Sequence, residues 1–171
     1  ILSEAPVGLS ANEIKKYDWR FKGKYDTGDV INIDYEFKTD SDTQYFVKLT
    51  VQESPSTPTA FEMMVAFGVG KSIIKKAFGD KKPFAQVVNK GELYRVMATV
   101  IDTVKDGIEK MAQNDYPVKV ILFKTEQEKE TASGFKITDQ RAKLYMAYIK
   151  QNMDMVNSVR QKGKEIEVIL K

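Results

Sequence analysis

Histidine and cysteine are both absent from the 171 residues. Without histidine there is no His-based general acid or base, and no Ser-His-Asp or Cys-His nucleophile. Without cysteine there are no disulfides and no thiolate chemistry. A reducing compartment is then the default, although a cysteine-free chain fits any compartment. The two absences together exclude nearly all zinc sites, since His and Cys are the main ligands. Any metal would be a hard cation held by oxygens, such as Mg²⁺ or Ca²⁺, and no metal site is expected. No apolar run approaches the roughly 20 residues that span a bilayer, so no membrane partner is expected. A cleavable signal peptide is not expected either; the first residue is Ile rather than Met.

What is present suits a folded chain. Hydrophobic residues make up 42% and charged residues 30%, a globular rather than a disordered balance. The length suits one domain with its own core. A flexible arm is expected over 1–9 and a single α+β domain over 10–171. The 27 basic and 24 acidic residues leave a net charge of +3, too small by itself to indicate nucleic acid. The basic residues are clustered, however. Lys71, Lys75, Lys76, Lys81 and Lys82 form one group, and Arg160, Lys162 and Lys164 another; these are the candidate contacts for a partner or for nucleic-acid backbone.

Ser10-Ala11-Asn12-Glu13 has capping-box spacing, which predicts a short helix through Lys16. Residues 17–24 start the sheet. From Val30 to Lys38, Ile31, Ile33, Tyr35 and Phe37 alternate with polar residues, and Tyr45 to Glu53 alternates again; Asp40-Ser41-Asp42 joins the two as a hairpin. Phe61 to Phe67 reads as a more buried strand. Residues 72–78 suit a short helix and 84–88 a short strand. Leu93, Val96, Met97, Val100, Ile101, Val104 and Ile108 recur at helical spacing over 92–111. Val118 to Phe123 is an apolar strand, and 126–134 a mobile loop. Thr138 caps a second long helix, whose face includes Leu144, Tyr145, Tyr148, Ile149, Met153 and Val156. Glu165 to Leu170 closes the sheet. The expected fold is α+β: a mostly antiparallel twisted sheet with two long helices packed on it. The segment from Val88 through the first helix to Val118 suits a crossover between parallel strands.

Chemical motifs are few. Gly68-Val69-Gly70-Lys71-Ser72 resembles the second half of a P-loop, but Val65 stands where its first glycine belongs. Asp34 and Glu36 share a strand face and would need a third carboxylate to hold Mg²⁺. Trp19, the one tryptophan, is expected in the core. Asn89-Lys90-Gly91 opens the first long helix, where backbone N–H groups favour an anion.

That last turn carries a resemblance. A strand, a glycine turn, a long helix, a strand and a helix bearing Arg141-Ala142-Lys143-Leu144-Tyr145 resemble the core of the GNAT acyltransferase superfamily over roughly the last 85 residues. The resemblance implies acetyl-CoA as cofactor, with Asn89, Lys90 and Gly91 near its pyrophosphate and Tyr145 near the thioester in N-acyl transfer. Val88 and Leu93 depart from the pattern of that turn, and a bulky Leu93 would crowd a pyrophosphate. A second resemblance covers most of the chain, through Val96-Met97-Ala98-Thr99-Val100, Val120-Ile121-Leu122-Phe123 and the same Arg-x-x-Leu-Tyr helix. It is to small uncharacterised proteins of tailed phages. It implies a viral origin, in the host cytoplasm or the virion interior; Leu2-Ser3-Glu4-Ala5 is similar to sites cut by phage prohead proteases. The function expected is binding of a macromolecule, protein before nucleic acid, without catalysis or cofactor. The alternative is an active or degenerate acetyl-CoA-dependent acyltransferase.

Overall fold

The structure, a computed structural model, describes residues 14–69, 90–124, 139–162 and 165–171. Seven strands form one sheet in the order β1-β2-β3-β4-β5-β7-β6. They are β1 Trp19–Asp26, β2 Ile31–Lys38, β3 Gln44–Glu53, β4 Phe61–Val69, β5 Val118–Lys124, β6 Val156–Lys162 and β7 Glu165–Leu170. The helices are α1 Lys90–Gln113, between β4 and β5, and α2 Asp139–Asn152, between β5 and β6.

The apolar alternation sets the pairing. Ile33 faces Leu49, Leu49 faces Val65, Val65 faces Phe123, and Phe123 faces Ile166, so one buried row crosses five strands. A one-residue slip anywhere would turn such a row to water. Tyr35, Val47 and Phe67 make the next row, and Met63, Ile121 and Val168 another. α1 and α2 both cover this face: Tyr35 bonds to Asp106 of α1, and Phe67 and Phe123 meet Met97, Tyr145 and Ile149.

All pairs are antiparallel except β4–β5, whose connection runs through α1. The sequence reading put a strand at 84–88 beside β5. The neighbours of β5 are β4 and β7; the 84–88 stretch lies outside the described residues, as do 1–9, 72–78 and 126–134.

Three expectations are corrected. The second helix is not long: α2 has 14 residues against 24 in α1. It stops at Asn152, where Asn152 Nδ2 donates to the Tyr148 carbonyl (2.9 Å) and Met153 and Val156 enter a turn. Val156 therefore starts β6, a strand absent from the sequence reading. Lastly, the described end of the expected 10–16 helix is not helical. Residues 14–18 are irregular, and the Tyr17 amide donates to Thr99 Oγ1 (3.0 Å) rather than to its own backbone.

Candidate functional site

The parallel pair creates the one irregularity in the middle of the sheet. The β4–β5 ladder ends at Val65 and Phe123, while β4 continues to Val69 along β3. Past that point Phe67, Met97, Val100, Ile101, Phe123, Tyr145 and Ile149 converge on the helix-covered side. The space they leave is about 10 Å³, room for a single water, and its walls are apolar. Tyr145 is 8% exposed and lines this gap.

α1 lines the gap with Met97, Val100 and Ile101, about two turns past its start. Among the anion candidates, Lys90 and Gly91 form its first residues, and Asn89 lies outside the described residues. The first turn also carries Glu92, which is buried. A carboxylate there already complements the positive end of the helix dipole, and it repels a second anion. Ser41, in the β2–β3 turn, donates to Glu92 Oε1 (2.8 Å). Arg95, one turn on, bonds to Asp40 (2.5 Å) and to the Lys15 carbonyl (2.7 Å), and stands 3.9 Å over the Tyr17 ring. The hairpin turn is thus tied to the helix start. Leu93, the residue after Glu92, is buried in the core cluster.

The opposite sheet face has a different character. Its central row runs Asn32, Thr50, Met64, Leu122, Glu167, Arg160 across six strands. Phe46 is 41% exposed on this face, and Met64, Ala66, Val120, Leu122 and Ile169 are all half-buried. Neither described helix packs there. The sequence reading missed this surface because it took 61–67 as a more buried strand than its neighbours. The signal was present: Met64, Ala66 and Gly68 alternate with the buried Met63, Val65 and Phe67.

Two acids on that face, Glu167 and Glu36, hold basic partners. Arg160 Nε bonds to the buried Glu167 carboxylate (2.5 Å), with Lys162 at 3.7 Å. Glu36 is held by Arg20 and, at 3.7 Å, by Lys22; the Arg20 hydrogen bond is the main reason its carboxyl titrates below the usual range. Two of the eight candidate cations, Arg160 and Lys162, are therefore engaged with Glu167. The other six, Lys71, Lys75, Lys76, Lys81, Lys82 and Lys164, lie outside the described residues, as do Gly70 and Ser72 of the P-loop-like motif. Asp34 and Glu36 gain no third carboxylate: among the described residues no group of three or more acids could hold a metal. Trp19 is half-buried and packs edge-on against Tyr35 at 5.2 Å. No helix among the described residues is long and apolar enough to cross a membrane.

Compared with known proteins, the chain matches no family model, no curated protein and no solved structure.

Proposed function

We propose that the chain is a phage-encoded, non-enzymatic protein that binds a protein partner through the sheet face bearing Phe46, Met64, Val120 and Leu122. One observation carries the reading: apolar side chains reach solvent in the middle of a strand face that the described helices leave uncovered. Glu36 and Glu167 hold the cations Arg20, Lys22, Arg160 and Lys162, which favours protein over nucleic acid, whose backbone needs unpaired cations. Such a protein works in the host cytoplasm or is carried inside the virion. The test compares wild type with a Phe46→Glu, Leu122→Glu variant of unchanged melting temperature. Cross-linking in infected cells should give an adduct with wild type that the variant loses; an adduct retained by the variant rules out this face.

A second reading is supported by the gap itself. A parallel strand pair that stops pairing early, a crossover helix along it and Tyr145 on the gap wall are features a GNAT-like acyltransferase would need. The carboxylate of Glu92 and the 10 Å³ space weigh against an acyl-CoA there. Acetyl-CoA at 100 times its dissociation constant adds about 2.7 kcal/mol to stability. The binding reading expects no thermal shift with millimolar acetyl-CoA. A clear shift, abolished by coenzyme A competition, would replace it with the acyltransferase.

A further inference from the structure

Among the described residues β1 is paired on one side only, with β2, and its other edge is open. An open edge presents backbone N–H and C=O groups to any extended segment of suitable chemistry. Charge of one sign is an ordinary way to keep such an edge from pairing with another copy. β6, the edge strand at the far end of the sheet, shows that arrangement alone. Its apolar residues, Val156 and Val159, are half-buried, and Arg160 and Lys162 are both drawn to Glu167.

β1 carries more than repulsion requires. Phe21 is 45% exposed and Tyr25 53%, two of the four large apolar side chains most open to solvent among the described residues. They lie on opposite sides of the sheet. Phe21 pairs across with Tyr35 on the helix-covered side, edge-on at 5.9 Å, and Lys110 of α1 stands 4.8 Å over its ring. Tyr25 pairs with Asn32 on the uncovered side, and its ring lies back over Gly23, where a Cβ would meet the hydroxyl at 2.5 Å. Interleaved with the rings are Arg20, Lys22 and Lys24, against a single acid, Asp26, at the end of the strand. Arg20 and Lys22 reach Glu36 on the uncovered side but stay 74% and 47% exposed, with donors to spare. Lys24, opposite Ile33 on the helix-covered side, is exposed and has no ion-pair partner among the described residues. Each side of the strand thus offers one ring and at least one cation.

We propose that the open edge of β1 takes up a short, acidic, extended segment of a partner protein as a further strand of the sheet. Main-chain hydrogen bonds hold such a strand, and its side chains, falling alternately on the two sides, select it. Apolar residues rest on Phe21 and Tyr25, and carboxylates meet Arg20, Lys22 and Lys24. The bulge between Phe21 and Gly23 bends the edge, which suits a segment of a few residues and disfavours a long flat strand. A nucleic acid strand has no peptide groups with which to complete the ladder. This surface is distinct from the apolar centre at Phe46 and Leu122, and the inference stands whether or not that centre binds a partner.

The probe is a blocked peptide of alternating glutamate and valine, titrated into the isotope-labelled full chain. The backbone amides of residues 19–26 should shift and those of β6 should stay in place. Lys22→Glu with Lys24→Glu should weaken binding about tenfold at unchanged melting temperature, since two exposed attractions become repulsions. The same peptide fully N-methylated along its backbone should not bind, because the ladder needs its amides. The Phe46→Glu, Leu122→Glu variant should bind the probe as wild type does. The proposal is overturned if the 19–26 amides do not move or if the methylated peptide binds as well as the probe. It is equally overturned if a lysine–valine peptide binds as well, if the Phe46→Glu, Leu122→Glu variant loses the probe, or if a thymidine oligonucleotide binds this edge more tightly than the probe does.

Discussion

Two buried phenols tie stability to alkaline pH. The Tyr35 hydroxyl donates to Asp106 Oδ2 (2.6 Å), and burial, then that bond and charge, hold it far above its ordinary value. Tyr148 is pushed up to about 12 from 10.0. A raised folded value means the folded chain keeps protons that the unfolded chain has released. The contribution is therefore complete below pH 10 and is lost as pH rises toward 12 and beyond. We expect the urea midpoint to fall between pH 9 and pH 11, and less steeply in Tyr148→Phe. Identical pH slopes for the variant and wild type would contradict this. Tyr35 was legible as a core position from alternation, but its partner was not: 71 residues separate Tyr35 from Asp106, and no local pattern encodes so distant a pairing.

Helix α1 lies close against the sheet at Gly107. A Cβ there would collide with Leu49 Cδ1, a fully buried atom group, and stand 3.4 Å from Met63 Cε. Replacing a helical glycine with alanine ordinarily gains about 1 kcal/mol. Overpacking a filled core costs about 1–3 kcal/mol, so Gly107→Ala should lose about 1 kcal/mol net in chemical denaturation; a stabilised variant would show the core yields there. The stripe of α1 was readable from its spacing because its apolar positions repeat over 24 residues. Strand β6 was not. In VNSVRQK only Val156 and Val159 are half-buried and the rest are exposed. It is a strand because β7 offers a ladder from Val156 to Lys162, irregular only between Val156 and Ser158, and Val156 was absorbed into the helical pattern before it.

Among the described residues the sheet ends in edge strands, β1 and β6, each paired on one side. Edges of this kind invite association between molecules unless charge or irregularity blocks them. β1 carries Arg20, Lys22 and Lys24 and a bulge between Phe21 and Gly23; β6 carries Arg160 and Lys162. Cations at both edges repel the corresponding edges of other copies. Lys22→Val with Lys24→Val should therefore raise light scattering at low salt while the melting temperature of the soluble fraction stays near wild type. Unchanged scattering would show that the bulge alone suffices.

The residue order by itself determined the α+β class, the hairpin of β2 and β3, the long α1 and the exclusion of histidine and cysteine chemistry. Each of these follows from local periodicity or from which side chains exist at all. Tertiary structure alone decided that β4 is the parallel partner of β5, that Glu167 captures Arg160 and that one sheet face keeps Met64 and Leu122 near water. Those outcomes depend on which strand neighbours which and on where a helix lies. Both are global packing choices, made by burial summed over the whole chain rather than by any one segment.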